Sequence, residues 1–160
     1  MEQQANQPRQ VALVFVHSAC EKNPGPAVVG CLILDGRLEE VASRTEQLFD
    51  TTNMKAECMA ILRGLRLTRK VTQRQVFCYS NSDVIVRQLK GEFKVKDEGL
   101  RELEALIIAE VKRFAKVQFA TAGKSNQSMR RVMRMTSRAL HKKLGVGKSR
   151  TSTEPLSTCV

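Results

Sequence analysis

The stretch from Val11 to Leu34, VALVFVHSACEKNPGPAVVGCLIL, constrains this chain more than any other. VALVFV reads as a β-strand built from β-branched and aromatic residues. The chain then reverses at Asn23-Pro24-Gly25-Pro26, where proline presets its backbone angle and glycine relieves the steric limit on a tight turn. An apolar second strand follows, so the chain opens on a hairpin. The spacing predicts strands near 11–17, 27–35, 38–47, 75–80 and 116–121, and helices near 53–70, 82–90, 97–115 and 126–144. Leu100, Leu103, Ile107, Val111 and Phe114 supply the buried face of the third helix. A chain of 160 residues is long enough for one domain with a proper core, expected over 11–144. The polar segment 1–10 reads as a flexible arm and the Ser/Thr-rich segment 145–160 as a flexible tail. No internal repeat is present.

Three segments in this order resemble the type 1 ribonuclease H family: the hairpin, the run TTNMKAECMAILRGLRL from Thr51 to Leu67, and VFCYSNSDVIVRQLKGEFKVK from Val76 to Lys96. The resemblance extends over about residues 11–144 and implies an α/β fold, a five-stranded mixed sheet flanked by helices on both faces. The GEFKVK segment is similar to that of compact members without a long basic protrusion. The family cleaves the RNA strand of an RNA–DNA hybrid with two divalent ions held by four carboxylates.

At the positions of those carboxylates this chain carries His17, Glu57, Asn81 and Arg130. Only Glu57 is acidic. The fourth assignment does not decide the matter, because no Asp or Glu occurs between Glu110 and Glu154. Imidazole and amide are poor substitutes for the anionic oxygens that magnesium requires. The resemblance therefore implies a degenerate site with no metal and no cofactor; magnesium would enter only if the chain were an active nuclease with an atypical centre. Asp83, two residues after Asn81, is the one nearby acid, and the family's geometry turns it elsewhere. Glu57 flanks the apolar face made by Met54, Cys58 and Ile61, where an unpaired carboxylate would be costly. An ion pair from Glu57 to His17 or Arg130 is expected to replace the metal.

Charge points separately to a nucleic-acid partner. The net charge is +11, yet residues 1–110 hold 15 basic and 15 acidic side chains, while residues 111–160 hold 12 basic side chains against Glu154 alone. From Gln127 to Leu144, Met129, Val132, Met133, Leu140 and Leu144 fall on one side of a helical wheel, and Arg130, Arg131, Arg134, Arg138 and Lys142 gather on the other. Such a cationic stripe, with Lys124 just ahead of it, suits a phosphate backbone and salt-dependent binding. A solvated face that keeps the chain soluble is the plainer reading of the same stripe. The resemblance adds Cys20, Asn23 and Asn53 as substrate-facing positions, whereas Met54 and Asp83 depart from the family's Asn and Gln. Single-strand stacking looks weak, with no Trp and with Tyr79 and most of the six Phe in apparent core elements. Backbone and shape recognition of RNA or an RNA-containing duplex remains.

The five cysteines, at 20, 31, 58, 78 and 159, are odd in number and lack zinc-finger spacing. Reduced thiols and an intracellular, reducing compartment are expected, whether cytoplasm, nucleus or organelle matrix. No apolar run reaches membrane length and no secretory signal is seen, so no membrane partner is expected. Three functions follow. The leading one is an inactive ribonuclease H-like module that binds nucleic acid through its last helix, within a ribonucleoprotein. The others are a scaffold that docks protein partners, and an active hybrid ribonuclease with an unusual ion.

Overall fold

The computed structural model describes residues 9–145. Strand β1 (Val11–Cys20) pairs antiparallel with β2 (Gly25–Asp35), and β2 with β3 (Glu40–Thr51). Strands β4 (Gln75–Ser80) and β5 (Lys116–Thr121) continue the sheet in parallel on the other side of β1, giving the order β3-β2-β1-β4-β5. Because side chains alternate along a strand, Ala12, Val14, Val16 and Ser18 of β1 face one side of the sheet, and Leu13, Phe15 and His17 the other.

Helix α1 (Asn53–Thr68) covers the first side, and its small residues Ala56, Ala60 and Gly64 let it sit close. A Cβ on Gly64 would lie 2.8 Å from Val16 Cγ1 and 3.2 Å from Val14 Cγ2. A short helix, α2 (Asp83–Leu89), follows β4, and α3 (Glu98–Val111) stacks on α1 through Leu100 and Ile107. Helix α4 (Gln127–Leu144) closes the second side, where Met129 and Val132 pack on Phe15, Leu32 and Leu34. Phe15 stacks on Tyr79 with ring centroids 4.7 Å apart. Each helix begins where the sequence supplies a cap: Thr52, Ser82, Asp97 and Asn126 accept the N–H of Lys55, Ile85, Leu100 and Met129. The result is the five-stranded mixed sheet with helices on both faces.

Several boundaries move. β1 runs past 17 to Cys20, because pairing with β2 continues to Ala27. β3 begins at Glu40, not 38: the Asp35 carboxylate accepts the N–H of Arg37 and Glu39, and Leu38 takes a left-handed φ of 67° in the turn. The third helix stops at Val111, capped by Lys112, rather than reaching 115. Residues 9 and 10 of the expected arm are tied down, since the Thr72 hydroxyl donates to the Arg9 carbonyl and the Gln75 N–H to the Gln10 carbonyl at 3.1 Å. The rest of the arm lies outside the described residues, as do the tail after Gly145 and Cys159. Among the described residues no helix is long and apolar enough to cross a membrane.

Candidate nucleic-acid interface

Glu57 is only 5 % exposed, and both its oxygens are engaged. Ser18 Oγ donates to Oε2 and Ser80 Oγ to Oε1, each at 2.7 Å, and Ser80 Oγ in turn accepts the Ser82 N–H at 3.1 Å. Burial pushes the Glu57 carboxyl above the ordinary carboxylate range, opposed by the hydrogen bonds from the two serines. The expected ion pair with His17 or Arg130 does not form. Strand alternation is the reason: Ser18 faces α1 and meets Glu57, while His17, one residue earlier, faces α4.

There His17 Nδ1 lies 2.9 Å from Thr136 Oγ1. The Thr136 hydroxyl also lies within donating reach of the carbonyls of Val132 and Met133, at 3.2 and 3.0 Å, which can only accept. A proton on His17 Nδ1 lets the hydroxyl accept from the imidazole while it donates to either carbonyl. Burial lowers the His17 pKa to about 4. The contact depends on Gly30, opposite His17 in β2, because a Cβ there would come within 2.6 Å of Thr136 Cγ2.

Arg130 is exposed and donates from Nη1 to the Lys124 carbonyl at 2.9 Å, so it folds back on the loop before α4. Asn81 is exposed at the end of β4. Asp83 turns away from Glu57, pairing with Arg87 Nε at 2.8 Å and accepting from Thr121 at 3.4 Å. Cys31, Cys58 and Cys78 are buried free thiols and Cys20 is half-buried; desolvation pushes Cys31 up to about 11 and Cys58 to about 12. Among the described residues no group of three His, Cys, Asp or Glu is placed to hold a metal ion. With both Glu57 oxygens taken by hydroxyls, the residues brought together here do not fit a divalent-ion centre.

The basic stripe is where the helical wheel put it. Arg130, Arg131, Arg134, Arg138 and Lys142 are all exposed on α4, with Met129, Val132 and Leu140 buried behind them. Arg131 is not free, since its Nη2 lies 2.8 and 2.9 Å from the Glu40 carboxylate oxygens. Arg134, Arg138 and Lys142 form no ion pair among the described residues. At the far end of the helix, Lys143 Nζ donates to the Leu48 carbonyl at 2.5 Å, fastening the last turn of α4 to the end of β3.

Asn23 and Asn53 meet at that same end of the sheet. The Asn53 N–H donates to Asn23 Oδ1 at 3.0 Å, next to the Gly25–Thr51 pair that closes β2 on β3. Both are exposed, and Cys20 lies at the nearby end of β1. Two residues here escaped the sequence reading. Nothing in the spacing sets Lys143 apart from the other cations of the helix. Phe49, 82 % exposed on β3, and Phe93, stacked under Arg87, are the two exposed phenylalanines, while Phe15, Phe77, Phe114 and Phe119 are buried or half-buried, in keeping with the expectation for most of the six. The alternation of Leu48 inward and Phe49 outward was the signal that could have found it.

Residues 15–129 match the family model described as reverse transcriptase-like. The chain belongs to the reverse transcriptase-like family. No curated protein matches it in sequence. Among solved structures, the ribonuclease H1 of the halophilic archaeon Halobacterium salinarum is similar with a TM-score of 0.77 at 22 % identity, over 81 % of this chain and 97 % of that one. LC11-RNase H1, isolated from compost by a metagenomic approach, gives 0.76 at 27 % identity over 84 % and 99 %. The same enzyme in complex with RNA/DNA hybrid gives 0.70 at 27 %, over 81 % and 99 %. This reverse transcriptase-like chain thus has the fold of a type 1 ribonuclease H. Its family match includes Glu57 and Asn81 and ends at Met129, ahead of the basic stripe.

Proposed function

We propose that this reverse transcriptase-like domain binds RNA or an RNA-containing duplex along the solvent face of α4 and does not cleave it, as a binding component of a ribonucleoprotein. The carrying observation is the exposed row Arg130, Arg134, Arg138 and Lys142 on a helix whose other side is buried. Fixed to the sheet at Glu40 and Leu48, that row leads toward the paired Asn23 and Asn53. Rigid support of this kind lets cations meet successive phosphates with no backbone to order, leaving only the side-chain cost. The LC11 relative, whose structure holds an RNA/DNA hybrid, makes a duplex the first ligand to try. Absence of cleavage is supported by Glu57, whose oxygens are both satisfied by Ser18 and Ser80.

Fluorescence anisotropy with labelled hybrid, double-stranded RNA, single-stranded RNA and DNA over a salt series tests the reading, with the same samples run on a denaturing gel in magnesium or manganese. The expected result is intact substrate, and a salt slope that falls by about one unit per arginine when Arg134 and Arg138 become Ala. Cleavage that Glu57→Gln abolishes would restore the active-nuclease reading. Neither binding nor cleavage would leave the protein-docking scaffold.

A further inference from the structure

The side of the sheet away from α4 carries a second cationic feature, independent of the stripe. Between β3 and α1 lies a cleft of about 200 Å³ rimmed by Arg44, Arg63, Arg66 and Lys70. Local geometry assembles it. Arg44 and Glu46 alternate with Thr45 on β3, so both face α1, opposite Cys31 and Val29. Arg63, Arg66 and Lys70 recur at the three- and four-residue spacing that puts them on one face of α1 and its capping turn.

Glu46 is the one acid in the lining, only 7 % exposed and 3.0 Å from Arg63 Nε. It holds Arg63 in place and balances one charge of four. Arg44, Arg66 and Lys70 form no ion pair among the described residues, which leaves three unmatched cations around one small cleft. Cations crowded on a low-dielectric wall raise the local concentration of anions. Guanidinium groups match the oxygens of phosphate in fork geometry, and a lysine adds a point charge. The cleft falls below the roughly 300–1,000 Å³ typical of sites for drug-sized ligands. Its size fits an anionic group better than a whole cofactor, and its floor of Val29, Cys31 and Ala60 carries no negative charge to oppose one, the Cys31 thiol being held neutral by burial.

We propose that this cleft is a phosphoryl-binding site, taking a multiply charged phosphate oxyanion with Arg63 as the oriented guanidinium and Arg44, Arg66 and Lys70 as the charge excess. The phosphate comes either as a free polyphosphate or as the terminal phosphate of an oligonucleotide, and both offer the same oxygens.

Pyrophosphate titrated into the full chain at constant ionic strength, read by calorimetry and by amide chemical shifts, is the test. Binding with shifts centred on β3 and α1 is expected, weakened about tenfold or more in Arg66→Gln/Lys70→Gln, which removes two charge-assisted contacts but no existing partner. Arg134→Gln/Arg138→Gln on α4 should bind pyrophosphate as the wild type does. A 5′-phosphorylated oligonucleotide that displaces pyrophosphate, where its 5′-hydroxyl counterpart does not, identifies nucleic acid as the source; no displacement by either identifies the free anion. Shifts centred on α4, or equal affinity in wild type and Arg66→Gln/Lys70→Gln, would overturn the site. The shift map on the wild type decides even if the double variant folds poorly, and neither readout depends on the function proposed for α4.

Discussion

Replacing Glu57 by Gln separates a buried neutral carboxyl from an ionised one. The structure raises the Glu57 carboxyl above its ordinary value of 4.5 by burial. Between that value and the higher folded one, the folded state keeps the proton while the unfolded chain has lost it. The folded state then binds more protons, and stability falls as pH rises through the window. Glutamine is a neutral isostere whose carbonyl accepts from one serine and whose amide donates to the other. At pH 4.5 and below the variant should stay within about 1 kcal/mol of wild type, because two hydrogen bonds are kept. Above that, the variant should gain on wild type by about 1.4 kcal/mol per pH unit until the wild-type carboxyl ionises. Glu57→Ala instead leaves the Ser80 hydroxyl, 1 % exposed, without its acceptor and opens a cavity. It should cost about 3 kcal/mol at pH 4.5 and below, and that cost should shrink with rising pH by the same about 1.4 kcal/mol per unit, because alanine too lacks the titrating carboxyl. Urea titrations followed by circular dichroism from pH 4.5 to 8 measure all three proteins, and the variant-minus-wild-type difference cancels what His17 contributes to each. A Glu57→Gln difference that is flat, or that turns against the variant as pH rises, would mean an ionised carboxylate and refute the reasoning.

His17 should govern the acid side. Its pKa of about 4 lies below the ordinary 6.5, so its contribution is complete above 6.5 and lost as pH falls toward 4. That loss is on the order of 3 kcal/mol before the discount its partial exposure requires, and His17→Gln should flatten the acid limb of the urea-midpoint profile; an unchanged limb would assign it to other groups. Glu40→Gln releases Arg131 from its pair and should tighten duplex RNA binding by about twofold to fivefold, the range of an exposed ion pair, with the gain abolished by Arg131→Ala. Gly64→Ala pushes a methyl against Val16 and Val14 and should lower stability by about 1–3 kcal/mol in the same urea assay, while an unchanged midpoint would mean that α1 does not seat on β1 as described.

Much of this fold is written in local pattern. The hairpin follows from the VALVFV strand, the Asn23-Pro24-Gly25-Pro26 turn and the apolar strand after it, and Thr52, Ser82, Asp97 and Asn126 mark four helix starts. The basic stripe was legible too, because one helix carries both its buried and its exposed side at a regular spacing. Turn chemistry, capping and periodicity act over a few residues, so a sequence carries them whole.

Partnership across the chain is different. Glu57 was visible as a carboxylate without its family's companions, yet whether His17 or Ser18 would meet it turned on a single step of strand alternation against α1. The pairs Arg131–Glu40 and Arg63–Glu46 join residues far apart in sequence, and no local pattern ranks Glu40 above another acid. The sequence by itself determined the elements, their order and the cationic face of α4, since these rest on short-range backbone and side-chain preferences. Only the tertiary structure decided that Glu57 is closed by two serines and that four cations converge between β3 and α1, because both depend on which faces the packed layers bring together.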